Sequence, residues 1–188
     1  TIEQLINSEN LKYPNIYICF TPDEEIGSGT DHFNYDYFKV DFAYTIDGAE
    51  IDSISYENFN AATAIVEITG YNIHPGDAKN KMVNALHIAI EISEKFPQSE
   101  RPETTEGYEG FYHLNDINGN VENATMIYII RDHDNEKFEQ RKAYMQQTID
   151  ELNKKYNDRI TLEINDQYYN MREKVEPVMH IVTLVEEA

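Results

Sequence analysis

Between residues 60 and 168 the hydrophobic rhythm changes from strand-like to helical and back, and this constrains the fold more than any other feature. Ala64, Val66 and Ile68 alternate with Thr63, Ile65, Glu67 and Thr69 as far as Gly70, the pattern of a strand with one buried face. Beyond Pro75-Gly76-Asp77, the residues Val83, Leu86 and Ile90, with Ala85, Ala89, Ile92 and Phe96, recur at helical spacing until Pro97 stops them. Residues 98–110 are polar, carry Pro102, Gly107 and Gly110, and read as a loop. Residues 111–117 and 121–131 flank Asn118-Gly119, a pair suited to the positive φ angles of a tight turn, so a hairpin is predicted there. Asp134 suits the N-cap of a second helix, which carries Phe138, Met145, Ile149, Leu152 and Tyr156 on one stripe. Ile160, Leu162 and Ile164 then alternate with Thr161, Glu163 and Asn165. Strand, helix, two strands, helix, strand is the split ferredoxin-like order, with two helices covering one face of an antiparallel sheet.

The flanks follow a different pattern. Residues 2–9 read as the end of a helix, Asn15-Ile16-Tyr17-Ile18-Cys19-Phe20 as an apolar strand, and Asp41-Phe42-Ala43-Tyr44-Thr45-Ile46 as a second strand ending in Asp47-Gly48. Residues 171–188 read as a helix. The predicted fold class is α/β. Part of an α/β domain (1–58) is interrupted by a complete ferredoxin-like domain (59–170), and a return helix follows (171–188).

Thirty-five acidic against 15 basic residues give a formal charge of −20, which disfavours nucleic acid and anionic membrane surfaces as partners. A single cysteine, Cys19, rules out an internal disulfide and points to a reducing cytoplasm. No apolar run approaches the roughly 18 residues of a membrane span, and Thr1 opens no signal-peptide pattern, so a soluble cytoplasmic protein is expected. The first residue is not Met, and an excised piece of a longer protein is the expectation.

Phe20-Thr21-Pro22-Asp23-Glu24-Glu25-Ile26-Gly27-Ser28-Gly29 places three successive carboxylates at the end of a predicted strand, before a Gly-rich turn. Loops at strand ends can hold charged groups over a cleft, and twin glutamates suit a hydrolytic metal site, one as ligand and one as proton acceptor. A merely solvated acidic loop would carry the same residues, and from these ten alone both readings stand. Asp132-His133-Asp134-Asn135-Glu136 invites a calcium-loop reading, which fails because Lys137 and Ala143 occupy the positions that need Gly and a bidentate Glu. His87 and His113 have no second ligand at metal spacing and read as ordinary partly buried residues.

Thr21-Pro22-Asp23-Glu24-Glu25-Ile26-Gly27, Asp41 through Gly48, and His74-Pro75-Gly76 together resemble the peptidase T family, the tripeptide aminopeptidases among the dinuclear-zinc exopeptidases. Thr104 through Tyr112, Tyr128 through Asp132, and Tyr168-Tyr169-Asn170-Met171-Arg172-Glu173 extend the resemblance over nearly the whole chain. The resemblance implies a zinc-binding α/β domain and a ferredoxin-like lid, with two zinc ions per active site. It implies Glu24 as general base, Glu25 as ligand of one zinc and Asp47 as ligand of the other. His74 would donate a hydrogen bond to the oxyanion, and Arg131 would pair with the substrate carboxylate. Asn118, Tyr169, Asn170 and Arg172 are further substrate-binding candidates, although Asn118 also suits a turn and Arg131 could instead pair with Asp132.

The family's upstream His-x-Asp ligand, its bridging Asp and its final His have no counterpart in this chain. The expectation is therefore a central fragment of a tripeptidase, itself not a competent enzyme. Two other readings remain: a lid and homodimerisation module without activity, and a related zinc dipeptidase or amino-acid deacylase.

Overall fold

The computed structural model describes residues 2–8, 12–24, 28–48 and 53–187. The chain forms two compact units, Thr1–Asp52 and Ser53–Ala188. In the first, α1 (Ile2–Ile6) is a short helix, and the described residues of 12–48 form turns without a strand. The strands expected at 15–20 and 41–46 are therefore not formed. Strand conformation is held by the backbone ladder of a neighbouring strand, and no such ladder reaches these segments among the described residues. Local aromatic contacts take its place: Tyr17 meets Phe38 edge-on at 5.9 Å and Phe33 meets Phe38 at 5.2 Å. Phe20 and Ile46 remain 87% and 99% exposed.

The second unit realises the predicted order. Strand β1 (Asn60–Thr69) is followed by α2 (Ala85–Lys95), β2 (Phe111–Gly119), β3 (Asn123–Asp132), α3 (Asn135–Tyr156) and β4 (Ile160–Tyr168). The strands lie in the order β2-β3-β1-β4, and every neighbouring pair is antiparallel. Ala62, Ala64, Val66 and Ile68 of β1 pack with Ala124, Met126, Tyr128 and Ile130 of β3 beneath both helices, which contribute Ala85, Ile88, Ala89 and Ile92 from α2 and Phe138, Met145, Ile149 and Leu152 from α3. Each of the fully buried Val, Ile, Met and Phe side chains contributes about 1.5–3 kcal/mol relative to exposure. Thr63, Ile65, Ile127, Ile129 and Arg131 lie on the opposite, half-buried face.

Capping follows the sequence. The Asn84 carboxamide accepts from Leu86 N at 2.9 Å at the start of α2, and Asp134 Oδ1 accepts from Lys137 N at 2.9 Å at the start of α3. Phe96, before Pro97, is extended and ends α2. Asn157 closes α3 in the left-handed region at φ 56°. Val83 lies outside the helix and bridges to Tyr71.

The hairpin turn is not at Asn118-Gly119. Both residues belong to β2, paired with Thr125 and Ala124, and the chain reverses at 120–123. Asn120 Oδ1 accepts from Glu122 N at 2.8 Å and Asn123 N at 3.2 Å, while the turn's own carbonyls are used elsewhere. Val121 O accepts from Ala85 N at the start of α2 at 3.0 Å, and Glu122 O accepts from Gly70 N at 2.6 Å. Gly119 is needed for close approach instead of for a turn, since a Cβ there would lie 2.6 Å from Ala124 Cα.

Residues 171–187 are not one helix. They form α4 (Arg172–Val175), a 3-10 turn (Glu176–Val178) and α5 (His180–Glu186), because Pro177 has no N–H to continue the helical ladder.

Candidate active site

Glu24 and Asp47 belong to the first unit. Asp23 adopts φ 63°, its carbonyl accepts from Ser28 N at 3.1 Å, and Glu24 is exposed. A Cβ on Gly29 would sit 3.3 Å from Glu24 Cα. Glu25 lies outside the described residues. Asp47 is exposed, and its Oδ1 accepts from Gly48 N at 2.7 Å, where Gly48 adopts φ +115°. Exposed carboxylates at turns are hard oxygen donors suited to a share in a zinc site. Among the described residues, no group of three or more His, Cys, Asp or Glu side chains could hold a metal by itself.

The other candidates belong to the second unit and fall at two ends of its sheet. His74 follows the far end of β1, where it caps the 3-10 turn Pro75–Asp77. Its Nδ1 accepts from Gly76 N at 3.1 Å. A neutral imidazole that accepts at Nδ1 carries its proton on Nε2, and the His74 side chain is exposed. Asn118 is also at that end, exposed on β2 opposite Thr125.

Arg131 is at the other end, near the close of β3. Consecutive strand residues point to opposite faces, so Arg131 and Asp132 do not form the ion pair that their adjacency suggests. Asp132 is buried beneath the helices, where its Oδ2 accepts from Arg141 Nε at 2.8 Å and its Oδ1 from Asp134 N at 3.0 Å. Arg141 in turn reaches Glu100 at 2.5 Å. Arg131 stands on the open face, and its Nε is buried with no hydrogen-bond partner among the described residues.

Tyr169, Asn170 and Arg172 cluster at the same end, but their polar groups already have partners. Tyr169 Oη donates to Asp166. Arg172 Nε donates to Glu176 Oε1 at 2.7 Å, and Nη1 lies 3.5 Å from Glu57 Oε2. Asn170 Oδ1 accepts from Asn58 N at 3.2 Å and Arg172 N at 3.0 Å, and its Nδ2 donates to His133 O at 3.0 Å. The His133 ring lies against Phe59 and Tyr108, with ring centroids 4.0 Å and 4.5 Å away, and Tyr108 Oη donates to Glu57.

The sequence reading missed Asn58, Asn60 and the Asp132–Arg141–Glu100 chain. Asn60 carried a usable signal, since its even-numbered position puts it on the same face as Ala62, Ala64, Val66 and Ile68, the face that is buried.

Residues 56–157 match the family model of the peptidase dimerisation domain. A protein named Peptidase T from Caldanaerobacter subterraneus subsp. tengcongensis is 54% identical over 188 residues, all of this chain and 46% of that protein. Another from Geobacillus kaustophilus is 54% identical over 185 residues, 98% of this chain and 45% of its own. The chain thus spans about half the length of these curated relatives. Among solved structures, aminopeptidase PepT from Bacillus cereus ATCC 10987 aligns with a TM-score of 0.66 at 22% identity, over 80% of this chain and 41% of that one. A tripeptidase from Staphylococcus aureus aligns with a TM-score of 0.68 at 18% identity, over the same shares of each chain. At these identities the structural likeness speaks for the fold.

Proposed function

Since the chain belongs to the peptidase dimerisation domain family, we propose that its residues serve a zinc-dependent aminotripeptidase that releases the N-terminal residue of tripeptides in the cytoplasm. The identity to proteins named Peptidase T supports the activity, and the family's name supports a homodimer formed through the four-stranded domain. No helix among the described residues is long and apolar enough to cross a membrane.

In this reading Glu25 and Asp47 would each give a carboxylate to one of two zinc ions. When bound there, zinc would supply the Lewis acidity that polarises the scissile carbonyl and lowers the pKa of water. Glu24, which is exposed, accepts the proton of the attacking water and passes it to the departing amine. The four-stranded domain closes as a lid. His74 lies about 25 Å along the sheet from Arg131, beyond the reach of a tripeptide held by that arginine. It would therefore donate from Nε2 to the oxyanion in the site of the second copy of the homodimer, the role its Nδ1 contact to Gly76 leaves open. Arg131 pairs with the tripeptide's C-terminal carboxylate.

The buried Nε of Arg131, without a hydrogen-bond partner among the described residues, carries the proposal, because a buried guanidinium N–H left without an acceptor is a poor structural element and a ready donor to a carboxylate. The test is Arg131→Ala in the whole enzyme. KM for a free tripeptide should rise about 10- to 100-fold, the size of a lost charge-assisted contact, while the C-terminal amide is little affected. An equal effect on both substrates would overturn the assignment.

A further inference from the structure

The backbone ladder between β1 and β4 ends at Ala61 and Tyr168, yet the two segments stay joined beyond it through three asparagine side chains. Asn60, fully buried, accepts from Asn170 N at 2.7 Å and donates through Nδ2 to Asp132 O at 3.0 Å and His133 O at 3.3 Å. Asn58 accepts from Met171 N at 3.0 Å and donates to Phe59 O at 2.8 Å and Tyr169 O at 3.4 Å. Asn170 answers from the other side, with Oδ1 shared between Asn58 N and Arg172 N and Nδ2 on His133 O. His133 O therefore receives donors from both crossings, and its ring lies against Phe59 and Tyr108.

We propose that Asn58, Asn60 and Asn170 form a clamp that makes the two chain crossings at the base of the sheet a single rigid stalk, with Asn170 a positioning residue. A carboxamide suits this role because it offers two donors and an acceptor with two lone pairs, and each of the three sides of the joint needs both kinds. The clamp joins the segment entering β1, the turn leaving β3 and the segment leaving β4. Any swing of the domain then occurs outside the clamp, and the end of the sheet bearing Arg131 moves without changing shape. This last consequence rests on the closing-lid reading above; the clamp itself does not.

Amide hydrogen exchange on the 188-residue chain tests it, with no metal or substrate present. Asn58→Ala and Asn170→Ala are the variants, since both residues are only partly buried and neither belongs to the core. Exchange at Met171 should accelerate about tenfold in Asn170→Ala although its acceptor, Asn58, is intact, and Arg172 should respond likewise in Asn58→Ala. Asn170→Asp, which keeps Oδ1, should preserve protection at Asn58 and Arg172. The clamp is overturned if only amides that lose their own acceptor accelerate, since three independent bonds would behave that way. It is equally overturned if the β1–β3 ladder accelerates by the same factor, because the residues would then serve the sheet as a whole.

Discussion

Arg141 Nε lies 2.8 Å from Asp132 Oδ2, and Gly110 closes over the pair so tightly that a Cβ there would fall 2.0 Å from the same oxygen. Asp132 is 1% exposed, so its charge depends on Arg141 and on the Asp134 amide for compensation. The arrangement ties the loop before β2 to α3 through Glu100 and holds the end of β3, from which Arg131 projects to the other face.

Arg141→Met should therefore destabilise the chain by about 3 kcal/mol, because it leaves a buried carboxylate without its cation. Asp132→Asn/Arg141→Met should be less damaging than Arg141→Met alone. Urea unfolding of the three proteins measures this, and a double variant no more stable than the single would show that the pair is not coupled through the buried charge.

The elements most legible in the sequence are those whose residues answer to one local demand. Alternation over 60–69, the stripe from Phe138 to Leu152, the Asp134 cap and the Pro97 stop all follow from burial on one face or from a backbone donor. The hairpin turn falls after Asn118-Gly119 because Gly70 N and Ala85 N claim the carbonyls at 122 and 121, a contact between segments far apart in sequence. The strands at 15–20 and 41–46 failed for a related reason, since apolar content alone does not provide a ladder partner. In the candidate site, motif resemblance points to Arg131 and His74. It could not separate Asn170, whose carboxamide is engaged on both sides by Asn58 N, Arg172 N and His133 O, from a residue with a hand free for substrate.

Glu91 joins the two helices, accepting from Lys155 Nζ at 2.7 Å and Tyr156 Oη at 2.5 Å. These hydrogen bonds, Lys155 first, hold its carboxyl below the ordinary value of 4.5. A carboxylate whose pKa is depressed by folding stabilises the fold above its unfolded value, and that contribution disappears as pH falls through the folded value. Glu91→Gln should therefore lower the thermal midpoint at pH 7, and the gap from the parent should narrow once pH drops below 4.5. Thermal unfolding at several pH values gives the comparison; a gap independent of pH would show that the charge on Glu91 is not what joins α2 to α3.

Glu24 and Asp47 are both exposed acidic residues at turns, so composition cannot separate a proton acceptor from a metal ligand. Their variants can. In the whole enzyme, Glu24→Ala removes the group proposed to take the proton from water while leaving the proposed ligands in place, so turnover should fall by at least about 10²-fold, the low end for a lost general base, with zinc content retained. Asp47→Ala should instead lower zinc content and turnover together, because a catalytic zinc normally has only about three protein ligands. Metal analysis and tripeptide hydrolysis on the same preparations would decide between the roles. Near-normal turnover in Glu24→Ala would exclude it as the base, and loss of zinc in that variant would make it a ligand.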